Sequence, residues 1–328
     1  MDWTRILTNV AGEAFAPATA AYALAAIGLN VHFGMTGLLN FGQAGFVLLG
    51  AYSYAITAIA GWPFWASVLA AIASAVVFGI VLGIPTLKLR GDYLSIVTIA
   101  AAEIVRIVSR STSLTELTGG NSGLSGGDGF KKSFEALCPF PDGTTTIWLW
   151  TYPNCTSGSW WLRVAAWAAV AIGCLLVWRW MRSPWGRVLK GVREDEDAVR
   201  ALGKNVYGYK MQALVLGGVG GAVAGIFYTL PTAVQADSMG RTMTFNIWTI
   251  LLLGGAATVF GPVLGSVLMW TVFMLVKSVL RDLDLSFISS TQSEAFSWML
   301  VGLTLMLLVI FRPQGILGDK KELAIDVR

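Results

Sequence analysis

Nine stretches of this chain are apolar for long enough to cross a lipid bilayer, at 14–33, 42–60, 64–84, 92–109, 160–180, 211–230, 244–260, 262–280 and 295–311. A hydrocarbon layer about 30 Å thick needs roughly 17–25 residues of helix at about 1.5 Å per residue. Water is absent there, so backbone amides and carbonyls must pair within the segment, which selects helices over open strands. Composition agrees, since 55% of residues are hydrophobic and 13% are charged, about half the charge of an average soluble domain. The expected fold is all-α: a polytopic transmembrane helical bundle of about nine spans, one domain over residues 1–328. A net charge of +4, carried by basic residues at span ends, excludes nucleic acid as a partner.

Charge crowds into one loop. Between Arg179 and Lys210 stand eight Lys or Arg residues and four acids, Glu194, Asp195, Glu196 and Asp197. Basic loops stay on the cytoplasmic side, so the loop 182–210 is expected there, as is the tail 312–328 with Arg312, Lys320, Lys321 and Arg328. Counting spans backwards puts 110–159 outside, and Lys88 and Arg90 inside. The same count puts the N-terminus outside, which its flanking charges support poorly; a re-entrant segment near 34–62 would reverse it. The first span reads as an uncleaved helix although AYALAA resembles a cleavage site, because Asp2, Arg5 and Glu13 make a poor signal-peptide head.

The stretch 110–159 is rich in Gly, Ser, Asn, Asp and Pro, which is turn chemistry. It reads as a plain solvated loop or as a cap that receives a partner. Cys138 and Cys155 lie in it. Outside the cell they would form a disulfide contributing about 3 kcal/mol; two separate thiols are the other reading. Cys174 sits in an apolar run as packing, and three cysteines so spaced make no metal cluster.

Two apolar segments carry glycine breaks. GLLNFGQAGFVLLGAY (37–52) contains Gly42, Gly45 and Gly50, and LLLGGAATVFGPVLGS (251–266) contains Gly254, Gly255, Gly261 and Pro262. Paired interruptions in opposite halves of a chain point to a transport path, because unwound backbone can face a solute. Asn40, Gln43, Gly45, Gly254 and Gly255 are the path candidates. Asn40 and Gln43 could equally cap backbone. Small-residue pairs such as Gly217/Gly221 and Gly79/Gly83 permit close helix contact. Glu103 and Arg106, three apart, either neutralise each other or mark where a span surfaces. His32, at a span end, has no partner nearby in sequence, so a metal or proton-relay role is not expected. No phosphate-binding P-loop or zinc-protease motif occurs, so any energy source must be another chain.

Within the basic loop, Asp197-Ala198-Val199 is followed by Gly203. This resembles the E-A-A-x-x-x-G motif of ABC importer permeases, with Asp for Glu and Val for the second Ala. SPWGRVLKGVREDEDAVRALGKNVYGYKMQALVL is similar to the corresponding loop of the branched-chain amino acid (Liv-type) permeases. GLLNFGQAGFVLLGAY, RGDYLSIVTIAAAEIVRIV, TGGNSGLSG, LLLGGAATVFGPVLGS and FRPQGILG occur in that family's order across nearly the whole chain; 131–159 has no counterpart. The resemblance implies a permease subunit in a bacterial cytoplasmic membrane that moves branched-chain amino acids, with urea or short amides as the alternative solutes. It also implies a second related permease, two ATP-binding subunits that hold the ATP, and an external solute-binding protein, with no cofactor or metal in this chain. Arg193, Glu194, Asp197, Ala198, Leu202 and Gly203 would then couple it to the ATPase. A self-contained channel or carrier, whose basic loop merely binds anionic lipid, is the alternative of a different class.

Overall fold

Every apolar stretch becomes a helix. The computed structural model describes residues 3–88, 91–125, 129–141, 143–147, 150–156, 158–282, 290–311 and 314–318. An amphipathic helix α1 (Trp3–Ala14) leads into α2 (Pro17–Thr36), α3 (Gln43–Ile59), α4 (Phe64–Thr86) and α5 (Gly91–Ser109). Two short helices, α6 (Thr115–Thr118) and α7 (Lys132–Glu135), and an antiparallel hairpin of β1 (Thr144–Ile147) and β2 (Trp150–Pro153) follow. The chain continues through α8 (Trp160–Arg182), α9 (Pro184–Glu194), α10 (Glu196–Ala201), α11 (Val206–Thr229), α12 (Arg241–Gly254), α13 (Gly261–Asp282) and α14 (Ser290–Phe311). Among the described residues α2, α4, α8, α11 and α13 are long and apolar enough to cross a membrane, and α3 is a shorter apolar helix. Arg90 and the tail charges Arg312, Lys320, Lys321 and Arg328, used to orient the sequence, lie outside the described residues.

The two ends of the bundle are distinguished by what they carry. The hairpin side holds α1, since Trp150 Nε1 donates to the Thr8 carbonyl at 3.0 Å. It also holds the end of α3, where the Tyr54 hydroxyl meets Ser133 at 3.2 Å. The loop side holds α9 and α10. The N-terminal helix therefore shares a side with 110–159, as the span count requires. That stretch is more structured than its turn chemistry predicts: Leu124 and Val234 bridge it to the connection after α11, and Cys138 and Cys155 are disulfide-bonded with Cα atoms 5.6 Å apart.

At the centre α2 and α11 touch backbone to backbone. α2 is buried along nearly its whole length. A methyl group at Gly28 would overlap the Gly217 carbonyl and lie 2.9 Å from Gln43 Nε2, and one at Gly217 would overlap His32 and the Gly28 carbonyl. Gly225 and Gly50 do the same between α11 and α3, against Val47 and Ala222. Close backbone approach of this kind is how helices associate in lipid, where burial from water supplies no drive.

Both glycine-rich segments interrupt helices inside the bundle, at Gly42, Gly254 and Gly255 but not at Gly45 or Gly50. The first break is 37–42, and Gly45 and Gly50 lie within α3 as packing positions. The second begins at Gly254 rather than near 260, leaving α12 with 14 residues, about 21 Å and too short to cross hydrocarbon. Pro262 is the second residue of α13, where a missing amide costs nothing.

Each break is closed by specific partners. In the first, Gly37 adopts φ 74° and its amide returns to the Phe33 carbonyl. The Phe41 amide donates to Thr98 Oγ1 (3.0 Å), the Gly42 amide to Asn40 Oδ1 (2.8 Å) and the Ala44 amide to Thr244 Oγ1 (3.1 Å), while the Asn40 carbonyl accepts from Trp248 Nε1 (3.1 Å). In the second, Asn30 Oδ1 accepts from the Ala257 amide (2.8 Å) and its Nδ2 donates to the Thr258 carbonyl (2.7 Å). The amides of Ile316 and Leu317 donate to the carbonyls of Leu253 and Gly254 at 3.1 and 3.0 Å, so residues 314–318 cap α12 from outside the helix.

Two stability measurements test this. Asn30→Leu leaves two buried backbone groups unpaired at about 1–3 kcal/mol each, and is expected to lower the melting temperature of detergent-solubilised protein by several degrees. Gly217→Val, forced against His32 and Gly28, is expected to cost at least as much, whereas Gly302→Ala, which meets nothing within 4 Å, should change stability by no more than about 0.5 kcal/mol.

Candidate functional site

The basic loop folds as two consecutive short helices, each with its own cap. Ser183 opens α9, its hydroxyl accepting from the Gly186 amide at 3.2 Å, and Pro184 occupies the first turn. Asp195 separates the helices and opens α10, with Oδ1 accepting from the amides of Asp197 (2.9 Å) and Ala198 (3.0 Å). Gly203 ends α10 with φ 75°, and its amide returns to the Arg200 carbonyl at 3.0 Å; glycine takes this left-handed stop without the Cβ penalty.

The pair has an inner and an outer face. Val199 turns inward and packs with Val192, Val206 and Val188. This explains why valine suits a position where the family motif has alanine: the side chain fills a small apolar cluster under α9. Asp197 faces outward with its side chain 89% exposed and pairs with Arg200 at 2.8 Å. Leu202 is 78% exposed, Glu194 and Ala198 are also exposed, and the space beside Gly203 is open. An apolar side chain and a bare glycine at the tip of a charged element form a surface that a partner's groove can accept.

The inner face is tied to the central helices at two points. Arg193 Nη1 donates to the Gly34 carbonyl at 2.6 Å, placing a cation at the C-terminal end of α2 where the helix dipole favours it. Lys210, on α11 and 14% exposed, pairs with Glu196 of α10. Glu196 also pairs with Arg200 at 2.9 Å. A polar cavity of about 820 Å³ lies beside these groups, between Lys88, Glu196, Arg200, Lys204 and Lys210. Sequence reasoning selected Arg193 but missed Lys210, Glu196 and Gly34. An i to i+14 pair and a side chain reaching a carbonyl on another helix leave no local spacing signal.

The path candidates fall elsewhere. Asn40 and Gln43 are fully buried, and their polar atoms are used inside the chain. Asn40 Nδ2 bonds to His32 Nδ1 (3.0 Å) and Gln43 Oε1 (3.3 Å), and Gln43 Nε2 donates to the carbonyls of Ala25 (3.2 Å) and Gly217 (3.3 Å). With Nδ1 accepting from Asn40, His32 donates through Nε2 to the Leu214 carbonyl at 2.9 Å, which fixes a neutral imidazole. Gly45 is pressed against Ala102, Gly254 against Gly261, and Gly255 (φ 112°) against Gly318. In this conformation these five positions close the breaks and hold helices together, and Asn40 caps backbone, one of the two roles the sequence left open for it.

On the hairpin side, Glu103 and Arg106 do share a face, with Arg106 Nη2 2.5 Å from Glu103. Arg106 and Arg110 also reach Asp237 in the connection before α12, at 2.5 and 2.9 Å. The pair is a salt bridge at a surfacing helix end, so both sequence readings hold.

Known proteins with similar sequences are transport permeases. The sequence model of a family described as "Branched-chain amino acid transport system / permease component" matches residues 13–310. The high-affinity branched-chain amino acid transport system permease protein LivM of Escherichia coli (strain K12) is 31% identical over 322 residues, which cover 91% of this chain and 68% of that protein. The probable branched-chain amino acid transport permease protein LivM of Methanocaldococcus jannaschii is 27% identical over 339 residues, covering 91% of each. A solved structure described as PsaBC from Streptococcus pneumoniae in complex with Fab aligns over 94% of this chain and 92% of that chain at a TM-score of 0.44 and 15% identity, too loose a likeness to carry an argument. With its many apolar helices the chain is a multi-pass membrane protein, and it belongs to the family of branched-chain amino acid transport system permease components.

Proposed function

We propose that this chain is the membrane subunit of an ABC importer that moves branched-chain amino acids into a bacterial cell, driven by ATP hydrolysed on partner subunits. In this reading α9 and α10 face the cytoplasm, and the hairpin and its disulfide face outward. The complex contains a second related permease, two ATP-binding subunits and an external solute-binding protein; ATP is bound by the partners. The names of the relatives support branched-chain amino acids as the solute.

One observation carries the proposal: α9 and α10 offer an outward tip, Leu202 and Gly203, and hold both central helices from behind through Arg193 and Lys210. An ATPase subunit gripping the tip would move α2 and α11 as one body, because their backbones touch at Gly28 and Gly217. Packed interfaces transmit such displacements rather than absorbing them.

Replacing Leu202 by Asp changes an exposed side chain and is expected to alter stability by no more than about 0.5 kcal/mol. At the centre of a docking site it should cost about 2 kcal/mol or more, so ATP-dependent uptake into proteoliposomes should drop at least about tenfold with normal yield and folding. Arg193→Gln, behind the tip, should instead leave ATPase co-purification intact while uptake falls. Wild-type uptake by the Leu202→Asp protein, or uptake in vesicles lacking any ATPase, would sink the proposal in favour of a self-contained carrier; competition by urea or short amides alone would reassign the solute.

A further inference from the structure

The hairpin, α1 and the start of α8 enclose a cavity of about 390 Å³ lined by Phe15, Trp150, Tyr152, Trp160, Arg163 and Trp167. Apart from Arg163 the walls are apolar or aromatic. Arg163 is built into the site: its guanidinium lies 3.9 Å from the centroid of the Tyr152 ring, and Nη1 donates to the carbonyls of Gly12 (3.2 Å) and Phe15 (3.3 Å). Its Nε has no hydrogen-bond partner. Trp167 forms the floor, and its other side lines a second apolar cavity of about 500 Å³ with Val170, Cys174, Leu175, Trp178 and Phe260. The two cavities follow one another along α8, with Trp167 common to both, and together form the candidate groove.

We propose that this groove binds a glycerophospholipid, with the phosphodiester on Arg163 and an acyl chain lying along α8 past Trp167. Three observations favour lipid over a protein chain. Between Arg163 and Arg179, over 15 residues or about 23 Å of helix, α8 carries no charge, close to the depth of a hydrocarbon layer. Both ends of that face carry tryptophan and arginine together, Trp160 and Arg163 at one, Trp178 and Arg182 at the other, where the guanidinium is 4.2 Å from the Trp178 ring centroid; such residues anchor a helix at the two lipid–water boundaries. Every side chain exposed between them, Val164, Ala168, Ala171, Ile172, Leu175 and Leu176, is apolar, as a surface in contact with acyl chains requires. A phosphodiester supplies an anion to which the guanidinium can donate a charge-assisted hydrogen bond. The outer leaflet as its source rests on the orientation proposed above; the site itself does not.

The full-length protein, purified in detergent and titrated with phosphatidylglycerol, phosphatidylethanolamine or diacylglycerol, is to be followed by native mass spectrometry. One tightly held phospholipid per chain is expected, with diacylglycerol weaker by about tenfold or more and Arg163→Gln producing a similar loss for both phospholipids. Because Arg163 also anchors α1, Val164→Trp is the second variant: it fills the cavity from an exposed position, and should remove the bound phospholipid without lowering the melting temperature. Equal retention of diacylglycerol, or phospholipid affinity unchanged in Val164→Trp, would overturn the proposal. Cross-linking of Ala171→Cys to another protein chain in native membranes would overturn it too, by giving the groove to a subunit.

Discussion

A peptide group left unpaired in hydrocarbon costs several kcal/mol, and this bundle contains two places where the helix stops short of the membrane surface. Much of the interior is organised to meet that demand. Asn30 supplies both a donor and an acceptor to the second break, and a returning C-terminal segment supplies two more amides. Thr98, Thr244 and Trp248 reach the first break from α5 and α12. Helices that are distant in sequence are therefore held in register by backbone accounting as well as by packing, and α2, which carries Asn30 and His32, is buried nearly end to end.

Those polar contacts sit around a core of backbone contact. Gly28, Gly217, Gly221 and Gly225 let α11 lie directly against α2 and α3, and the Gln43 amide donates across the resulting seam to Gly217 and Ala25. A hydrogen-bonded seam with no side chain to yield behaves as a stiff unit. The loop-side helices grip that unit at the end of α2 and the start of α11, so a push on α10 has no soft layer in which to dissipate.

The hairpin side is built differently. Its interactions are aromatic stacking, cation–π contact and surface ion pairs, as in Arg163 over Tyr152 and Arg106 with Asp237. These tolerate small rearrangements better than backbone seams do, and the disulfide between Cys138 and Cys155 gathers a stretch that has little core of its own.

The helical character of the apolar stretches, their approximate positions and the special character of the loop 182–210 were legible in the sequence, because hydropathy over some 20 residues and the clustering of Lys and Arg are local properties. So was the glycine stop at Gly203, since capping chemistry acts within a few residues. Asn40 and Gln43 looked like solute ligands for the same reason: sequence reports that a polar side chain lies in an apolar stretch but not what stands opposite. Only the tertiary structure decided that His32, Gln43 and Gly217 are their surroundings, that Gly45 and Gly254 are contact points, that Val199 points inward, and that Lys210 holds Glu196. Several of those outcomes depend on residues far apart in the chain, such as Gln43 and Gly217 at a separation of 174, whose meeting is set by how the helices cross and leaves no periodicity along the chain.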